Sequence, residues 1–324
     1  MGSTRNDLIH LIEKGSIPAE NIDGALSAAS LYPDASDWRV FIDRTLLYLG
    51  VLGLSFSLLF FIAYNWAEFG RISKFALVQV FIGAAIFVSV KYSSNRNIAQ
   101  AAILAAVVAL GVLLALFGQT YQTGADPWQL FAVWALLMLP WAFVAQSAYI
   151  WLIWIGLLNT ALVLYLGASG GLFWSIYASP LWWLLALNSF AWFGWELLSS
   201  RFEFLSKRWA VWLLAITCGV HITWLVILAI FDSQTIVHSV VVWIVWVIWI
   251  AVIYFVYRHR HTDLFVLSIG CLSGVVVITS AVARLLFESS LVAWGLFVLA
   301  ILLVILGSTA ATWLRNVHQE ISNE

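Results

Sequence analysis

The stretch Gly118–Trp128 reads GQTYQTGADPW and lies between two long apolar runs. It is uncharged except for Asp126, and nowhere else are the apolar runs interrupted over so many consecutive residues. Gly118 is typical of a helix end, and Asp126 followed by Pro127 is typical of the start of the next helix. The stretch therefore predicts two helices joined by a polar connection.

Lipid is the solvent that suits the rest of the chain. Of 324 residues, 63% are hydrophobic and 10% are charged, and the mean hydropathy is +0.98. A soluble domain carries about 25% charged residues. The net charge of −1 provides no electrostatic footprint for nucleic acid. Cys218 and Cys271 both fall inside apolar runs, which favours free thiols over a disulfide or a metal site.

Apolar runs long enough to cross a bilayer recur from residue 45 onwards. They lie at about 45–64, 75–90, 98–117, 128–146, 148–167, 181–199, 209–231, 236–257, 264–283 and 290–312. We therefore predict an all-α fold, a polytopic membrane helix bundle of about ten transmembrane helices at 45–315, with a short C-terminal tail at 316–324. Ten spans also divide into five and five near residue 170, an arrangement compatible with an inverted repeat.

The N-terminal segment, residues 1–44, predicts a short cytoplasmic helical hairpin. Gly15 is expected to end its first helix, Pro18 to begin the second, and Pro33 to stop it. Two helices of this size bury too little surface to fold alone. The hairpin is therefore expected to pack on the membrane domain, on the lipid surface or on a protein partner.

The cations set the expected orientation of the spans. Ten spans place both termini on one side, and of the 15 Lys and Arg residues only Arg71, Lys74 and Arg284 fall on the other, leaving twelve on the side of the termini. The positive-inside rule then puts both termini in the cytoplasm. The stretch 118–128 is accordingly expected at the extracytoplasmic face.

A ligand site is one interpretation of this stretch. Gln119, Tyr121 and Gln122, with Asp126 and Trp128, would line an outward-facing cavity for a neutral polar or amphiphilic small molecule. The alternative is an interfacial turn whose side chains satisfy backbone groups near the lipid. A phosphate site in this stretch is disfavoured, because it holds no Lys or Arg.

Four further polar residues are predicted near the same face. Arg284 and Glu288 are four residues apart at the end of the ninth span, which indicates an ion pair at a helix end. If they point inward instead, Arg284 is the natural partner of Asp126 or Glu68. Asn65 and Glu68, where the chain leaves the first span, are secondary ligand-binding candidates.

Polar residues within the spans have simpler interpretations. Asn159 and Asn188 are expected to hydrogen-bond neighbouring helices. Glu196, close to Arg201, is expected to extend its carboxylate to the interface. The eighth span carries a tryptophan at every third position, namely Trp243, Trp246 and Trp249. This stripe indicates packing or lipid contact, or alternatively the wall of a cavity for an amphiphile.

The pattern GQxYQxGxDPW at 118–128, followed by Gln129, Leu130 and WALxxLP ending at Pro140, resembles an uncharacterised family of bacterial predicted membrane proteins. Members similarly begin with a short polar helical segment, which the run LIEKG at 11–15 matches. The resemblance covers the N-terminal half best. It implies a bacterial inner-membrane location and brings no known activity and no functional residue.

Two functional hypotheses remain open from the sequence. The first is transport or binding of a neutral polar or amphiphilic small molecule at an extracytoplasmic-facing site. The second is a non-catalytic accessory or sensory protein that recruits a partner through its N-terminal hairpin. The sequence shows no nucleophile motif, phosphate-binding glycine loop or metal-ligand spacing, so neither an enzyme nor a cofactor is expected.

Overall fold

The computed structural model describes residues 8, 11–12, 14, 16–28, 35–168, 179–231, 236–260, 262–288 and 292–323. Within these ranges the chain is helical and contains no strand. Its ten long helices are α1 (Ala35–Tyr64), α2 (Arg71–Lys91), α3 (Arg96–Tyr121), α4 (Pro127–Ala145), α5 (Ala148–Ala168), α6 (Ser179–Ser199), α7 (Arg208–Phe231), α8 (Ile236–Phe255), α9 (Leu264–Glu288) and α10 (Val292–Asn323). A 3₁₀ turn at Ala19–Asn21 and a short helix at Ile22–Ala28 precede them, and a π-helical turn, Val256–Arg260, continues α8.

Each of the ten predicted spans coincides with one of these helices. In the described part of the chain, nine candidate spans are long and apolar enough to cross a membrane. The remaining helix, α6, has 21 residues and would be about 31 Å long. Its tryptophans and Glu196 lower its hydropathy, and it is not among the nine candidate spans. The predicted class, a polytopic all-α membrane protein, is confirmed.

The first and last helices extend well beyond the predicted spans. α1 has 30 residues and α10 has 32, so they measure about 45 and 48 Å against a hydrocarbon core of about 30 Å. Residues 35–44, predicted as part of the hairpin domain, are the first turns of α1. Most of the predicted tail is likewise the last turns of α10.

The chain forms two compact units, which are described separately. Unit 1 comprises residues 1–121 with 319–324, and unit 2 comprises residues 122–318. In unit 1, α3 packs against both α1 and α2 and is the most buried helix of the three. Its buried face is rich in alanine, which lets neighbouring helices approach closely.

Unit 2 is organised around α7. This helix packs against α6, α8 and α9, while α4 packs on α5 and α5 on α6. The buried face of α7 includes Val211, Leu214, Ile222 and Val226, each with at most 3% of its surface exposed. The five-and-five division predicted near residue 170 falls outside the described residues.

A pair of asparagines joins α5 to α6 in the interior of unit 2. Asn188 Nδ2 donates to Asn159 Oδ1 at 2.6 Å, and Asn159 Nδ2 donates back to Asn188 Oδ1 at 3.2 Å. Each amide also donates to a carbonyl one turn earlier in its own helix. The predicted interhelical role of both residues is confirmed.

Candidate functional site

The polar stretch begins inside a helix. Gly118 was expected to end the third span, but α3 continues through Tyr121. The Tyr121 ring packs on Phe117, with ring centroids 4.8 Å apart, and on Phe75 of α2, at 6.0 Å. These contacts support the additional turn, and the left-handed backbone of Gln122 (φ 46°) follows the helix end. Gln119 and Tyr121 remain exposed.

The second part of the stretch belongs to unit 2. Gly124 adopts a φ of 65°, and Asp126 occupies the N-cap position of α4 with Pro127 in the first turn, as predicted. The Asp126 carboxylate makes no capping hydrogen bond and is exposed, as is the side chain of Gln122. The Trp128 ring packs edge-on against Tyr165 of α5, with centroids 5.1 Å apart. The predicted site residues are therefore divided between the two units.

The secondary candidates have local roles in the structure. Asn65 Nδ2 donates to the Phe61 carbonyl at 2.8 Å, and the Asn65 carbonyl accepts from the Glu68 backbone at 3.2 Å. Arg284 Nη1 donates to the carbonyl of Ile230, near the end of α7. The side chain of Glu288 lies outside the described part of the structure. The pairing of Arg284 with Asp126 or Glu68 stays a prediction.

A cluster of charges, absent from the predicted site, lies where α6, α7, α8 and α9 meet. Arg208 Nη1 donates to both carboxylate oxygens of Glu196, at 3.1 and 3.2 Å. Its Nη2 and Nε donate to Asp263 Oδ2, at 2.6 and 3.0 Å. Tyr257 donates to Glu196 at 2.6 Å, and Trp212 Nε1 donates to Asp263 at 3.0 Å. Glu196 thus binds Arg208 and Tyr257, whereas the sequence predicted a carboxylate reaching to the interface.

This cluster joins helix ends. Asp263 Oδ1 also accepts from the Phe265 backbone N–H at 3.0 Å, so the same side chain caps α9 and holds the start of α7. Burial raises the pKa of Asp263, but the hydrogen bond from Trp212 and the hydrogen bonds and charge of Arg208 outweigh it, leaving the pKa below its ordinary value. Each side chain of the cluster hydrogen-bonds at least one other member, which indicates a structural role.

The lowered pKa of Asp263 predicts an acid-sensitive contribution to stability. A carboxylate whose pKa is lower in the folded protein stabilises it above the unfolded pKa, about 4, and this contribution disappears as the pH falls through the folded value. We expect Asp263→Asn to lose stability relative to the native protein at neutral pH, with the gap closing below about pH 4. Unfolding in detergent micelles, followed over this pH range, measures the gap.

The variant Trp212→Phe is a second test of this prediction. It removes one hydrogen bond that lowers the pKa of Asp263 and leaves Arg208 in place, so the folded pKa rises toward the unfolded value. Its loss of stability on acidification should begin near the same pH, about 4, but be smaller than in the native protein. A gap between Asp263→Asn and the native protein that stays constant with pH would contradict the assignment.

α7 and α9 run parallel and are linked at three levels. Arg208 binds Asp263 at one end, and Arg284 binds the Ile230 carbonyl at the other. Between them, the hydroxyl groups of Thr223 and Ser273 lie 2.7 Å apart. Trp246 of α8 donates to Ser273 Oγ at 3.0 Å. One tryptophan of the predicted stripe therefore packs inward and supplies a hydrogen bond.

A groove of about 260 Å³ lies along this pair of helices. Its walls are mainly apolar, and the lining residues are Ile216, Gly219, Val220, Thr223, Trp224, Ile227, Ile269, Leu272, Ser273 and Val276. Val220 and Leu272 are 59% and 63% exposed. Exposed apolar side chains on a membrane-spanning helix face lipid, so the groove is open to the bilayer.

The hydroxyl pair in the groove has one hydrogen-bond donor in excess. Trp246, Thr223 and Ser273 together carry three donor hydrogens, and the two hydrogen bonds that join them use two. Two other hydroxyls in these helices donate to a carbonyl of their own helix, Thr217 to Leu213 at 2.8 Å and Ser268 to Phe265 at 2.6 Å. Neither Thr223 nor Ser273 makes such a bond among the described residues. One O–H is therefore available to an acceptor from outside.

Comparison with known families gives a match over the N-terminal part of the chain. The model of a family described as "Predicted membrane protein (DUF2157)" matches residues 10–151. No curated protein and no solved structure matches the chain. The matched range includes the stretch 118–128 and ends in α5, before the helices that form the groove and the charge cluster. Over residues 10–151 the chain is therefore similar to a family of predicted membrane proteins of unknown function, as the sequence resemblance implied.

Proposed function

We propose that this integral membrane protein binds an amphiphilic small molecule, without transforming it chemically, in the groove between α7 and α9. The observation that supports this proposal is the excess hydroxyl donor of Thr223 and Ser273 inside an apolar groove. An amphiphile with an apolar chain and an oxygen acceptor close to it satisfies both features. An ester, ether or hydroxyl oxygen would accept the spare hydrogen bond.

The size and surroundings of the groove favour a lipid-like ligand. Its volume of about 260 Å³ lies below the roughly 300–1,000 Å³ of pockets for drug-sized molecules. It therefore accommodates one chain with its adjoining polar atoms. Entry from the bilayer requires no opening, because the exposed walls of the groove already face lipid. A ligand that partitions into the membrane reaches the site at high local concentration.

Photo-labelling tests the proposal. The probe is a monoacylglycerol, a neutral amphiphile, with a diazirine in its acyl chain, added to the full-length protein in nanodiscs. We expect cross-links, mapped by mass spectrometry, to concentrate on residues 216–227 and 269–276. Ser273→Ala removes an anchoring hydroxyl, and we expect about fivefold less labelling there, as for the loss of one hydrogen bond worth about 1 kcal/mol.

Ser268→Ala is the matched control, because it makes the same substitution in the same helix. The Ser268 hydroxyl donates to the Phe265 carbonyl at 2.6 Å and is not among the residues that line the groove. Its labelling pattern should equal that of the native protein. Equal labelling of all lipid-facing helices, or equal labelling of both serine variants, would overturn the proposal.

The same experiment also tests the ligand site that the sequence predicted at 118–128. The exposed side chains of Gln119, Tyr121 and Gln122 and the uncapped Asp126 carboxylate favour the stretch 118–128 as a second candidate site. Cross-links concentrated on that stretch would move the proposed binding function there. The alternative of partner recruitment by the N-terminal hairpin stays a prediction, because much of residues 1–34 lies outside the described ranges.

A further inference from the structure

Lys74 is a buried cation in unit 1. It lies in the first turn of α2, and 6% of its surface is exposed. Its Nζ lies 3.5 Å from the ring centroid of Trp66, in the connection that precedes the helix. The sequence predicted the second span to begin at residue 75, which left Lys74 in a polar loop. α2 begins at Arg71 instead, so Lys74 lies within this helix and is one of its buried residues.

Among the described residues, Lys74 has no counter-charge. No carboxylate among the described residues forms an ion pair with it, and no described oxygen accepts a hydrogen bond from it. The Trp66 ring face attracts the ammonium but provides no negative charge, and an ammonium has three donor hydrogens. A buried charge is costly unless it is paired. The ammonium therefore favours an acceptor that comes from outside the chain.

The surroundings of Lys74 are electropositive. Gly70 is the N-cap residue of α2 and offers no side-chain cap, so the first backbone N–H groups of this 21-residue helix lack that partner. Arg71, exposed, adds a second cation in the same turn. Because helical side chains lean toward the N-terminus of their helix, we expect the Lys74 side chain to extend toward these N–H groups. Glu68, also exposed, is the nearest carboxylate along the chain.

The Lys74 ammonium is not fully enclosed. Its Nζ has no hydrogen-bond partner among the described residues, and yet it does not belong to the fully enclosed atoms without a partner, so part of its surface is accessible. A buried ammonium, a second cation and uncapped N–H groups at a helix N-terminus form the donor set that proteins use for oxyanions.

We propose that Lys74, Arg71 and the first turn of α2 bind a phosphate group. Both a phospholipid headgroup and free inorganic phosphate present this chemistry. The site lies in unit 1, whereas the groove for an amphiphile lies in unit 2. The two proposals rest on different residues and succeed or fail separately.

Lipid and phosphate binding to the full-length protein test this site. Phosphatidylglycerol bound in detergent micelles is counted by native mass spectrometry, and inorganic phosphate is titrated as a competitor. We expect Lys74→Met to weaken phosphatidylglycerol binding about tenfold, as for the loss of one charge-assisted hydrogen bond. Competition by millimolar inorganic phosphate would identify a free anion as sufficient. Binding that inorganic phosphate does not displace would identify the lipid headgroup.

Lys91→Met is the matched control. Lys91 ends the same helix, is exposed, and lies 5.8 Å from the ring centroids of Phe87 and Tyr92. This variant loses a lysine and its aromatic contacts but no phosphate site, so its binding should equal that of the native protein. If both lysine variants lose phosphatidylglycerol binding equally, the effect comes from the change in net charge alone, and this result would overturn the proposal.

A stability measurement separates a ligand site from a structural contact. Removing an unpaired buried charge should leave Lys74→Met at least as stable as the native protein in lipid-free micelles. Phosphatidylglycerol should raise the unfolding midpoint of the native protein and not that of the variant. If Lys74→Met cannot be purified, Arg71→Ala, an exposed change, should weaken binding severalfold. Unchanged binding in the variant tested would overturn the proposal.

Discussion

Replacing Arg208 with leucine is expected to destabilise the protein more than any other single substitution considered for this chain. The change leaves Glu196 and Asp263 without the guanidinium that binds both of them. Breaking a fully buried ion pair costs about 3–5 kcal/mol. Because the side chain of Arg208 is 37% exposed, solvent screens part of this, and we expect a loss of about 2–3 kcal/mol.

Unfolding in mixed micelles, driven by SDS and followed by tryptophan fluorescence, measures this loss. Arg201→Leu is the matched control, since Arg201 is exposed in the connection just before α7 and should change stability by less than about 0.5 kcal/mol. Arg208→Lys should fall between the two, because a single ammonium cannot present the guanidinium's separate donors to two carboxylates.

A triple variant tests the physical cause. Combining Arg208→Leu with Glu196→Gln and Asp263→Asn removes all three charges, so no carboxylate is left unpaired. We expect this variant to recover part of the stability that Arg208→Leu loses. If the triple variant is less stable than Arg208→Leu, or if Arg208→Leu behaves like Arg201→Leu, the cluster does not stabilise the helix ends through its charges.

The helices of this protein were predictable because lipid imposes them. A backbone in hydrocarbon must satisfy its own hydrogen bonds, so each long apolar run has to be a helix, and the ten predicted spans match α1–α10. The helix ends were less predictable. Gly118 indicated a terminus, but the ring contacts of Tyr121 with Phe117 and Phe75 stabilise a further turn. Side-chain packing there outweighed the local preference of glycine.

The charge cluster and the groove depend on contacts between residues far apart in the chain. Glu196 is 12 residues from Arg208 but 61 from Tyr257, and Asp263 is 55 residues from Arg208. The local signal was limited to a carboxylate in a span that needs a counter-charge, and Arg201 is closer to Glu196 along the chain than Arg208 is. The choice between them is made by the packing of α6 and α7. Likewise, nothing in the sequence pairs Thr223 with Ser273.

α7 and α9 approach each other closely at Gly219. At Gly219 an added Cβ atom would lie 2.7 Å from Ile269 Cγ2 and 3.4 Å from the Trp249 ring. The first distance is shorter than any normal contact, and Cγ2 sits on the branched carbon of Ile269, so it cannot swing away as the end of a long side chain would. Small residues at helix contacts in membranes allow this kind of approach.

Gly219→Ala is therefore expected to lower the free energy of unfolding by about 1–2 kcal/mol, because overpacking costs about 1–3 kcal/mol and the helix preference of alanine returns about 0.5–1 kcal/mol. Gly194→Ala in α6 makes the same substitution where nothing lies within 4 Å of the new Cβ, so it should be neutral or stabilising. The opposite signs separate steric conflict from helix propensity.

The double variant Gly219→Ala with Ile269→Ala removes the clashing methyl group, so it should be more stable than the sum of its single changes predicts. If the effects of the two single changes simply add in the double variant, the two helices do not meet at Gly219. Other residues would then line the groove at this point.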